Sequence, residues 1–282
     1  MLSSVIDFAV AEKRMQFRGK CNINIEYSPG TESYGLFADI NLIEFKRVLS
    51  NIINNAVEAI KEKGEVKIVL EKNLQYLFVK ISDTGPGIPQ QVIDNLGKRG
   101  NTYGKKDGEG LGLFHAVETL QKCNGTMDVT ISSKAGTTIL IKLPISNPPS
   151  WFLKGLEIKA NTQILILDDD ASIHQVWDQI FSRMNITSAG ITIHHFSNKN
   201  MLGEWLKNSF DNLRPFLFLC DYEIIGSTET GLDVIEFFKL ESHSVLVTGR
   251  SEEIEVQKRC EKMKVYLLPK TLSSSVPVKV CY

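Results

Sequence analysis

The sequence predicts two successive α/β domains: a mixed sheet with helices grouped on one face, followed by a doubly wound five-stranded parallel sheet. The 282 residues suit two domains of about 100–200 residues each. Strands before residue 146 alternate apolar and polar side chains, whereas strands after residue 160 are continuous apolar runs separated by helical stretches. Between them, the run SNPPSW at 146–151 holds two consecutive prolines, which stop helix and strand alike.

Composition excludes several classes of protein. Hydrophobic residues make up 43% of the chain and charged residues 23%, the balance of a soluble globular protein. The net charge of −1 gives no basic field for nucleic acid, and no apolar run reaches the roughly 18 residues of a membrane span. The five cysteines form no CxxC pair and suit a reducing compartment. We therefore expect a cytoplasmic chain that contacts neither nucleic acid nor membrane.

The elements of the first domain follow from periodicity and turn signals. Apolar spacing predicts a helix that ends near residue 17 and a long helix over 39–62, with Asp39 as its N-cap. Two strands meet in a tight hairpin around Asn73. The remaining predicted elements are a strand at 22–27, a glycine-rich region at 84–112, a helix at 112–123, and the strands TMDVTIS and TTILIKL.

In the second domain, short apolar strands alternate with helices. Such alternation predicts a parallel sheet covered on both faces. The predicted strands are QILILD, ITIHHF, FLFLCD, SVLVTG and VYLL, and the predicted helices cover about 171–184, 197–209, 230–241 and 251–263.

Three polar or glycine-rich clusters in the first domain are candidate binding elements. Asn51 and Asn55 lie four residues apart on a helix, so they share a face and either bind a polar ligand or form an amide network. The segment Asp83-Thr-Gly-Pro-Gly87 ends a strand, where a carboxylate can accept from an exocyclic amine such as that of adenine, or it forms an ordinary turn. Gly108-Glu-Gly-Leu-Gly112 opens a helix whose N–H groups can face phosphate.

The order NxxxNA, DxGxG, GxGLG resembles the ATP-binding domain of sensor histidine kinases, in the gyrase–Hsp90–kinase–MutL superfamily, over about 20–145. The resemblance implies that Asn55 helps hold Mg²⁺ and that Asp83 binds the adenine amine, with Thr137 or Thr138 contributing through water. Asn51 stands where hydrolytic members carry a glutamate base, which favours phosphoryl transfer. It further implies a lid over 88–108 and a pocket that includes Gly85, Gly87, Lys105, Gly108, Gly110, Leu111 and Gly112.

The predicted strand ends of the second domain carry Asp168-Asp-Asp170, Asp221 and Thr248, and Lys270 follows the last strand. Because parallel strands deliver their carboxyl ends to one edge, these side chains should meet there. Converging carboxylates need a cation, and hard oxygen ligands suit Mg²⁺. An aspartate can also act as a nucleophile toward a phosphoryl group.

This set resembles the receiver domain of response regulators over about 162–272. The resemblance implies that Asp221 accepts the phosphoryl group, that Asp168 and Asp169 hold Mg²⁺ with it, and that Thr248 and Lys270 contact the phosphoryl oxygens. Asp170 is expected to start the following helix. The chain departs from the family at Thr271, where proline is usual, and the twelve residues after Lys270 leave the usual last helix short or missing.

The two resemblances together indicate the C-terminal part of a bacterial hybrid sensor histidine kinase, attached upstream to other segments that could include a membrane anchor. The expected domains are 1–19, the end of a helical linker or dimerisation hairpin; 20–145, the ATP-binding domain; 146–160, a linker; and 161–282, the receiver. None of the five histidines is followed by an acidic residue, as the family's acceptor box requires.

The expected activity is transfer of the γ-phosphoryl of ATP to a histidine and then to Asp221. Without the acceptor hairpin the chain should be inactive alone. Expected partners are that hairpin and a downstream response regulator or phosphotransfer protein, and a homodimer of the longer protein is compatible with the family. Two alternatives stay open: a nucleotide-binding regulatory module with a docking receiver, and a hydrolytic ATPase of the superfamily.

Overall fold

Backbone contacts divide the chain into two units, residues 1–147 and 148–282. The computed structural model describes residues 1–20, 22–29, 33–94, 111–133, 136–184, 186–224 and 228–282, and it leaves out the side chains of residues 91, 92, 111 and 187. No helix within these ranges combines the length and the apolar character needed to cross a membrane.

The first unit contains one five-stranded mixed sheet. Its strand order is β1-β2-β3-β5-β4, with β1 parallel to β2 and the other neighbours antiparallel. The elements are α1 (Leu2–Gln16), β1 (Ile23–Pro29), α2 (Leu42–Ala59), β2 (Gly64–Lys72), β3 (Tyr76–Asp83), α3 (Gln90–Ile93), α4 (Leu111–Lys122), β4 (Thr126–Ser133) and β5 (Gly136–Pro144).

Helices α1, α2 and α4 cover one face of this sheet. In β2, β3 and β5 buried residues recur at every second position, because successive side chains of a strand point to opposite faces. These strand residues share one core with the apolar stripes of the helices, including Ile6 of α1, Phe45 and Ile53 of α2, and Leu120 of α4. The predicted mixed sheet with helices on one face is therefore confirmed.

The long helix α2 begins later than the sequence predicts. Asn41, and not Asp39, is its N-cap: the Asn41 side chain accepts a hydrogen bond from the Glu44 N–H at 3.1 Å. Both residue types suit a helix start, so only the backbone path into the helix distinguishes them. The predicted hairpin at Asn73 is confirmed, since the Asn73 side chain accepts from the N–H groups of Gln75 and Tyr76.

The second unit contains a five-stranded sheet in which every pairing is parallel, in the order β8-β7-β9-β10-β11. Chain order reverses between β7 and β9, the switch point of a doubly wound sheet. The elements are β6 (Leu156–Lys159), β7 (Gln163–Leu167), α5 (Ala171–Ser182), β8 (Thr192–Phe196), α6 (Lys199–Asn208), β9 (Phe216–Asp221), α7 (Gly231–Phe238), β10 (Ser244–Thr248), α8 (Ile254–Met263), β11 (Tyr266–Pro269) and β12 (Val278–Cys281), with 3-10 turns at Ile186–Ala189, Glu241–His243 and Lys270–Ser275.

Both faces of this parallel sheet are covered. All residues of β7 and β10 are buried, which explains their continuous apolar sequence. Leu165 and Leu167 pack in one core with residues of α6, α7 and α8, whereas the alternate residues Ile164 and Ile166 point to the opposite face.

Short strands lie on either side of this sheet in the sequence. β6 lies within residues 146–160, the predicted linker, and pairs in parallel with β12. Nearby, the Leu267 N–H of β11 donates to the Trp151 carbonyl at 2.7 Å. After Lys270 the chain forms a 3-10 turn and then β12, so residues 270–282 contain no α-helix, in agreement with the short or missing last helix that the sequence predicts. Pro277 explains the break, because proline cannot donate within a helix.

A charged cluster joins α7 to α8. Thr230 caps α7 in a capping box with Asp233, and Arg259 of α8 donates to Asp233 at 2.6 Å and to Glu236 at 3.1 Å. Burial alone would raise the pKa of Asp233, but the hydrogen bonds from Thr230 and Arg259 outweigh burial and lower that pKa to about 2. The Asp233 carboxylate therefore stabilises the folded state when it is ionised.

We expect Asp233→Asn to lower the free energy of unfolding by about 1 kcal/mol at neutral pH, a discounted value for a partly exposed pair. Because the folded-state pKa lies below the ordinary value of 3.8, this stabilisation is complete above about pH 4 and disappears as the pH falls toward 2. Urea unfolding of both proteins between pH 7 and pH 2 measures the difference, with the exposed Glu204→Gln on α6 as control. A difference independent of pH would contradict the assignment.

Candidate functional site

One face of α2 carries the polar residues singled out in the sequence. Asn51, Asn55 and Ala59 are spaced by four residues, so they are stacked along that face. At one end, the Asn51 Nδ2 donates to the Gly112 carbonyl at 3.3 Å, in the first turn of α4. At the other end, Ala59 lies against Gly85, where an added Cβ atom would be 3.1 Å from the Ala59 Cβ. Half-buried Asn55 therefore lies between the Asp83–Gly87 turn and the start of α4.

The Asp83 carboxylate is held by its own turn. Its Oδ1 accepts from the Gly85 N–H at 2.8 Å, and a Cβ atom at Gly85 would lie at the same distance from that oxygen. Burial raises the pKa of Asp83, against the lowering effect of the Gly85 and Thr137 N–H groups. A partly desolvated carboxylate with a fixed orientation is suited to accept a hydrogen bond from an amine.

Gly87 continues this turn into a close contact with β4. Its φ of +82° is in the left-handed region, and a Cβ atom there would lie 2.2 Å from the Ser133 carbonyl oxygen. The Ser132 hydroxyl then accepts from the Ile88 N–H at 2.7 Å and donates to the Ile88 carbonyl at 2.8 Å. Only glycine fits the first of these contacts, and the serine fixes the chain that leaves the turn.

The two threonines that the sequence left open, Thr137 and Thr138, lie at different positions relative to Asp83. Thr137 lies directly opposite Asp83 in the β3–β5 register and is buried, so it shares a side of the sheet with Asp83. Thr138 lies opposite Ser82, and the two hydroxyl oxygens are 2.9 Å apart.

Asn54 is a residue that the sequence analysis missed. Its Oδ1 is buried and has no hydrogen-bond partner among the described residues, which is costly unless a ligand or water supplies a donor. The spacing of Asn51, Asn54 and Asn55, three and four residues apart, could have indicated it. Lys105, Gly108, Gly110 and most of the predicted lid lie outside the described residues, as does the side chain of Leu111.

In the second unit, three carboxylates converge at the carboxyl edge of the sheet. Asp168 and Asp169 follow β7, and Asp221 ends the adjacent strand β9, so the group lies at the switch point. One oxygen from each carboxylate lies within 4.8 Å of the others. Asp168 and Asp221 are only 2% and 5% exposed, so their charges are poorly screened by water.

Lys270, the first residue after β11, binds two of these carboxylates. Its Nζ lies 2.7 Å from the Asp221 Oδ2 and 3.0 Å from the Asp168 Oδ2. Burial raises the pKa of Asp221 and the charge of Asp168 adds to this, while the bond from Lys270 opposes them. For Lys270 itself, burial would lower the pKa, but its bonds to Asp221 and Asp168 leave that pKa raised.

The neighbouring residues complete the geometry of this edge. Thr248 ends β10 and is buried, and its Oγ1 accepts from the Arg250 N–H at 2.9 Å. The predicted role of Asp170 is confirmed, since it caps α5 by accepting from the Ser172 N–H at 2.8 Å. Gly231 lets α7 approach β9, because a Cβ atom there would lie 1.8 Å from the Asp221 carbonyl oxygen.

The donor set at this edge fits a hard divalent cation. Three carboxylates offer only oxygen ligands, and with one lysine they leave a formal charge of −2. A Mg²⁺ ion would neutralise that charge with its preferred ligand type.

Comparison with known proteins finds matches for the first unit. Residues 41–147 match the family model "Histidine kinase-, DNA gyrase B-, and HSP90-like ATPase". Three curated relatives resemble this chain: the C4-dicarboxylate transport sensor protein DctB of Rhizobium meliloti (33% identity over 145 residues, 50% of this chain and 22% of that protein), the sensor histidine kinase YvrG of Bacillus subtilis (34% over 101 residues, 34% and 17%), and the hybrid signal transduction histidine kinase D of Dictyostelium discoideum (31% over 133 residues, 44% and 9%). The chain thus spans less than a quarter of each relative.

Solved structures also match. The mycobacterial sensor histidine kinase MprB aligns over 52% of this chain and 97% of its own, with 24% identity and a TM-score of 0.45. Full-length ShkA in complex with AMPPNP aligns over 96% of this chain and 53% of its own, with 15% identity and a TM-score of 0.44. Residues 41–147 therefore match the histidine kinase-, DNA gyrase B-, and HSP90-like ATPase family, and the relatives that resemble this part of the chain include sensor histidine kinases.

Proposed function

We propose that this chain acts in a two-component phosphorelay as a protein-histidine kinase module fused to a receiver. The first unit binds ATP with Mg²⁺ and phosphorylates a histidine on a dimerisation hairpin. The second unit accepts the phosphoryl group on Asp221 and passes it to a response regulator or phosphotransfer protein. The proposed domains are 20–145 for the ATPase, preceded by the end of the hairpin at 1–19, and 161–282 for the receiver, after a linker at 146–160.

One observation carries the proposal beyond the ATPase domain. Asp168, Asp169, Asp221 and Lys270 meet at the switch point of a parallel sheet, in the same chain as the ATPase domain. A carboxylate nucleophile, a cation site and a fixed ammonium are the groups that phosphoryl transfer to an aspartate requires.

In the first unit, the groove along α2 would receive the nucleotide. The Asp83 carboxylate would accept from the adenine amine, with buried Thr137 beside it. Asn55 would help hold Mg²⁺ against the phosphates. The α4 N-terminus, with the glycines before it and Lys105, would face the phosphates, where backbone N–H groups and the helix dipole favour anions. Asn51, already bonded to Gly112, would keep α4 in position.

Both proposed phosphoryl transfers are substitutions at phosphorus. A histidine nitrogen attacks the γ-phosphorus of ATP, the bond to the bridging oxygen breaks, and ADP leaves. An Asp221 carboxylate oxygen then attacks the phosphohistidine, the P–N bond breaks, and the imidazole leaves after gaining a proton. Mg²⁺, when bound by Asp168, Asp169 and Asp221, offsets the charge of the transferred group. Lys270 and the Thr248 hydroxyl would bind the phosphoryl oxygens.

Substitutions of Asp83 and Asn55 test the proposed nucleotide site. Asp83→Ala and Asn55→Ala should each weaken ATP·Mg²⁺ binding about five- to 150-fold, because each leaves a polar ligand group without its partner. Isothermal titration calorimetry with a non-hydrolysable ATP analogue measures the affinity. The exposed Asp128→Ala on β4 is the matched control and should bind like the wild type. Wild-type affinity in both pocket variants would contradict this site.

The proposed cation site can be tested through the free energy of unfolding with and without Mg²⁺. In EDTA, Lys270→Met should lower the free energy of unfolding by about 2–4 kcal/mol, because two buried carboxylates lose their shared counterion. Excess Mg²⁺ should recover part of that loss, since an ion that binds only the folded state stabilises it. Urea unfolding with and without Mg²⁺ measures both effects, with the exposed Lys258→Met on α8 as control. If Mg²⁺ raised the free energy of unfolding of neither variant, the cation site would be contradicted.

Phosphorylation of Asp221 can be tested with a small phosphoryl donor. Incubation with acetyl phosphate and Mg²⁺ should add one phosphoryl group to Asp221, and Asp221→Asn should abolish the adduct because an amide is a poor nucleophile. EDTA should also abolish it, and Lys270→Ala should reduce it. Intact-protein and peptide mass spectrometry locate the adduct, and beryllofluoride with Mg²⁺ should shift NMR signals around Thr248.

No adduct with acetyl phosphate, together with an unchanged spectrum in beryllofluoride, would contradict phosphorylation of Asp221. The second unit would then be a docking module, as the departure at Thr271 and the missing last helix allow.

A further inference from the structure

A network of two histidines lies directly behind the acidic edge of the second unit, and the proposed function does not use it. His174 of α5 and His195 of β8 are both partly buried, and their ring centroids are 4.6 Å apart with the planes at 85°. Neither histidine is followed by an acidic residue, so the sequence predicts no function for them. Their position next to Asp168 is a product of the fold.

The hydrogen bonds of this network connect Asp168 to His174, His174 to His195, and His195 to Asp178. The His174 Nε2 lies 2.8 Å from the Asp168 carbonyl oxygen, and its Nδ1 lies 2.7 Å from the His195 Nδ1. The His195 Nε2 in turn lies 2.9 Å from the Asp178 Oδ1. A carbonyl oxygen can only accept, so the His174 Nε2 carries a hydrogen and donates it.

His174 completes the set of bonds that fixes Asp168. The Asp168 N–H donates to the Phe196 carbonyl at 3.1 Å, its Oδ1 accepts from the Asp170 N–H at 2.9 Å, and its Oδ2 binds Lys270. The remaining polar group is the carbonyl oxygen, which His174 satisfies. Because Asp168 is 2% exposed, that oxygen has little access to water if the histidine is removed.

The rest of the network orients the His174 ring. His174 and Asp178 lie four residues apart on α5, so they share a face, and His195 from the neighbouring strand bridges them. The ring is therefore held at both nitrogens. Hydrogen bonds of this kind, one step behind a ligand, commonly control how well a metal site is formed.

We propose that His174 is a positioning residue for the cation site: its Nε2–H fixes the backbone of the Asp168–Asp169 segment and so sets the affinity of the carboxylates for Mg²⁺. This inference rests on the proposed function of the second unit. It assigns His174 no contact with the phosphoryl group. Asp178 and His195 act through the orientation of the His174 ring.

Two substitutions separate the bonds of His174. His174→Gln places an amide N–H near the Nε2 position and keeps the donor to Asp168, whereas His174→Asn places its polar group near the Nδ1 position and loses that donor. His174→Asn should weaken Mg²⁺ binding at least tenfold, in the range found for partners of metal ligands, while His174→Gln should stay within about threefold of the wild type. The exposed side chain of Asp178 makes Asp178→Ala a variant that should fold normally, and its affinity should lie between these two.

NMR titration of the full chain with MgCl₂ measures the affinity from the amide signals of Asp169 and Asp170, and thermal unfolding in EDTA measures stability. A merely structural histidine would lower the unfolding temperature without separating the Mg²⁺ affinities of the Gln and Asn variants. Equal affinities in those variants, with Mg²⁺ binding intact in the wild type, would overturn this inference alone. A wild-type chain that binds no Mg²⁺ at these residues would overturn the proposed cation site, and this inference with it.

Discussion

The contact of Lys270 with Asp221 and Asp168 is the interaction on which the second unit depends. Two carboxylates with exposures of 2% and 5% can remain together in their ionised forms only when a positive charge offsets their repulsion. The parallel sheet creates this situation by delivering β7 and β9 to one edge, and β11 supplies the ammonium from two strands away. Under the proposed function, Lys270 and a bound cation would also offset the charge of an incoming phosphoryl group.

In the first unit, the main constraint is that the largely buried helix α2 carries polar side chains. Ile52, Ile53 and Ala56 of α2 enter the core, while Asn51, Asn54 and Asn55 occupy the remaining face. The Asn51–Gly112 bond and the packing of Ala59 against Gly85 connect that face to α4 and to the Asp83 turn. A nucleotide placed there would meet a carboxylate at one end and helix N–H groups at the other.

In both units, contacts from surrounding residues position the candidate site residues, which lie at the ends of strands and helices. Gly87 and Gly231 admit backbone contacts that any side chain would block, and Ser132 ties Ile88 to β4. The histidine network performs the same task for Asp168. Such contacts join elements that are distant in the sequence. They fix the distances between the side chains of each candidate site.

The sequence by itself determined both sheets, the cap at Asp170 and the residues that meet at the carboxyl edge, because periodicity and strand order depend on local pattern and on the rules of parallel sheets. It did not determine the start of α2 at Asn41, since neighbouring Asp and Asn cap a helix equally well. Only the tertiary structure decided the pairing of β6 with β12, the side of the sheet that Thr137 shares with Asp83, and the contact of His174 with Asp168. Each of these contacts joins segments that are far apart in the sequence. Local sequence patterns do not indicate which distant segments become neighbours in the fold.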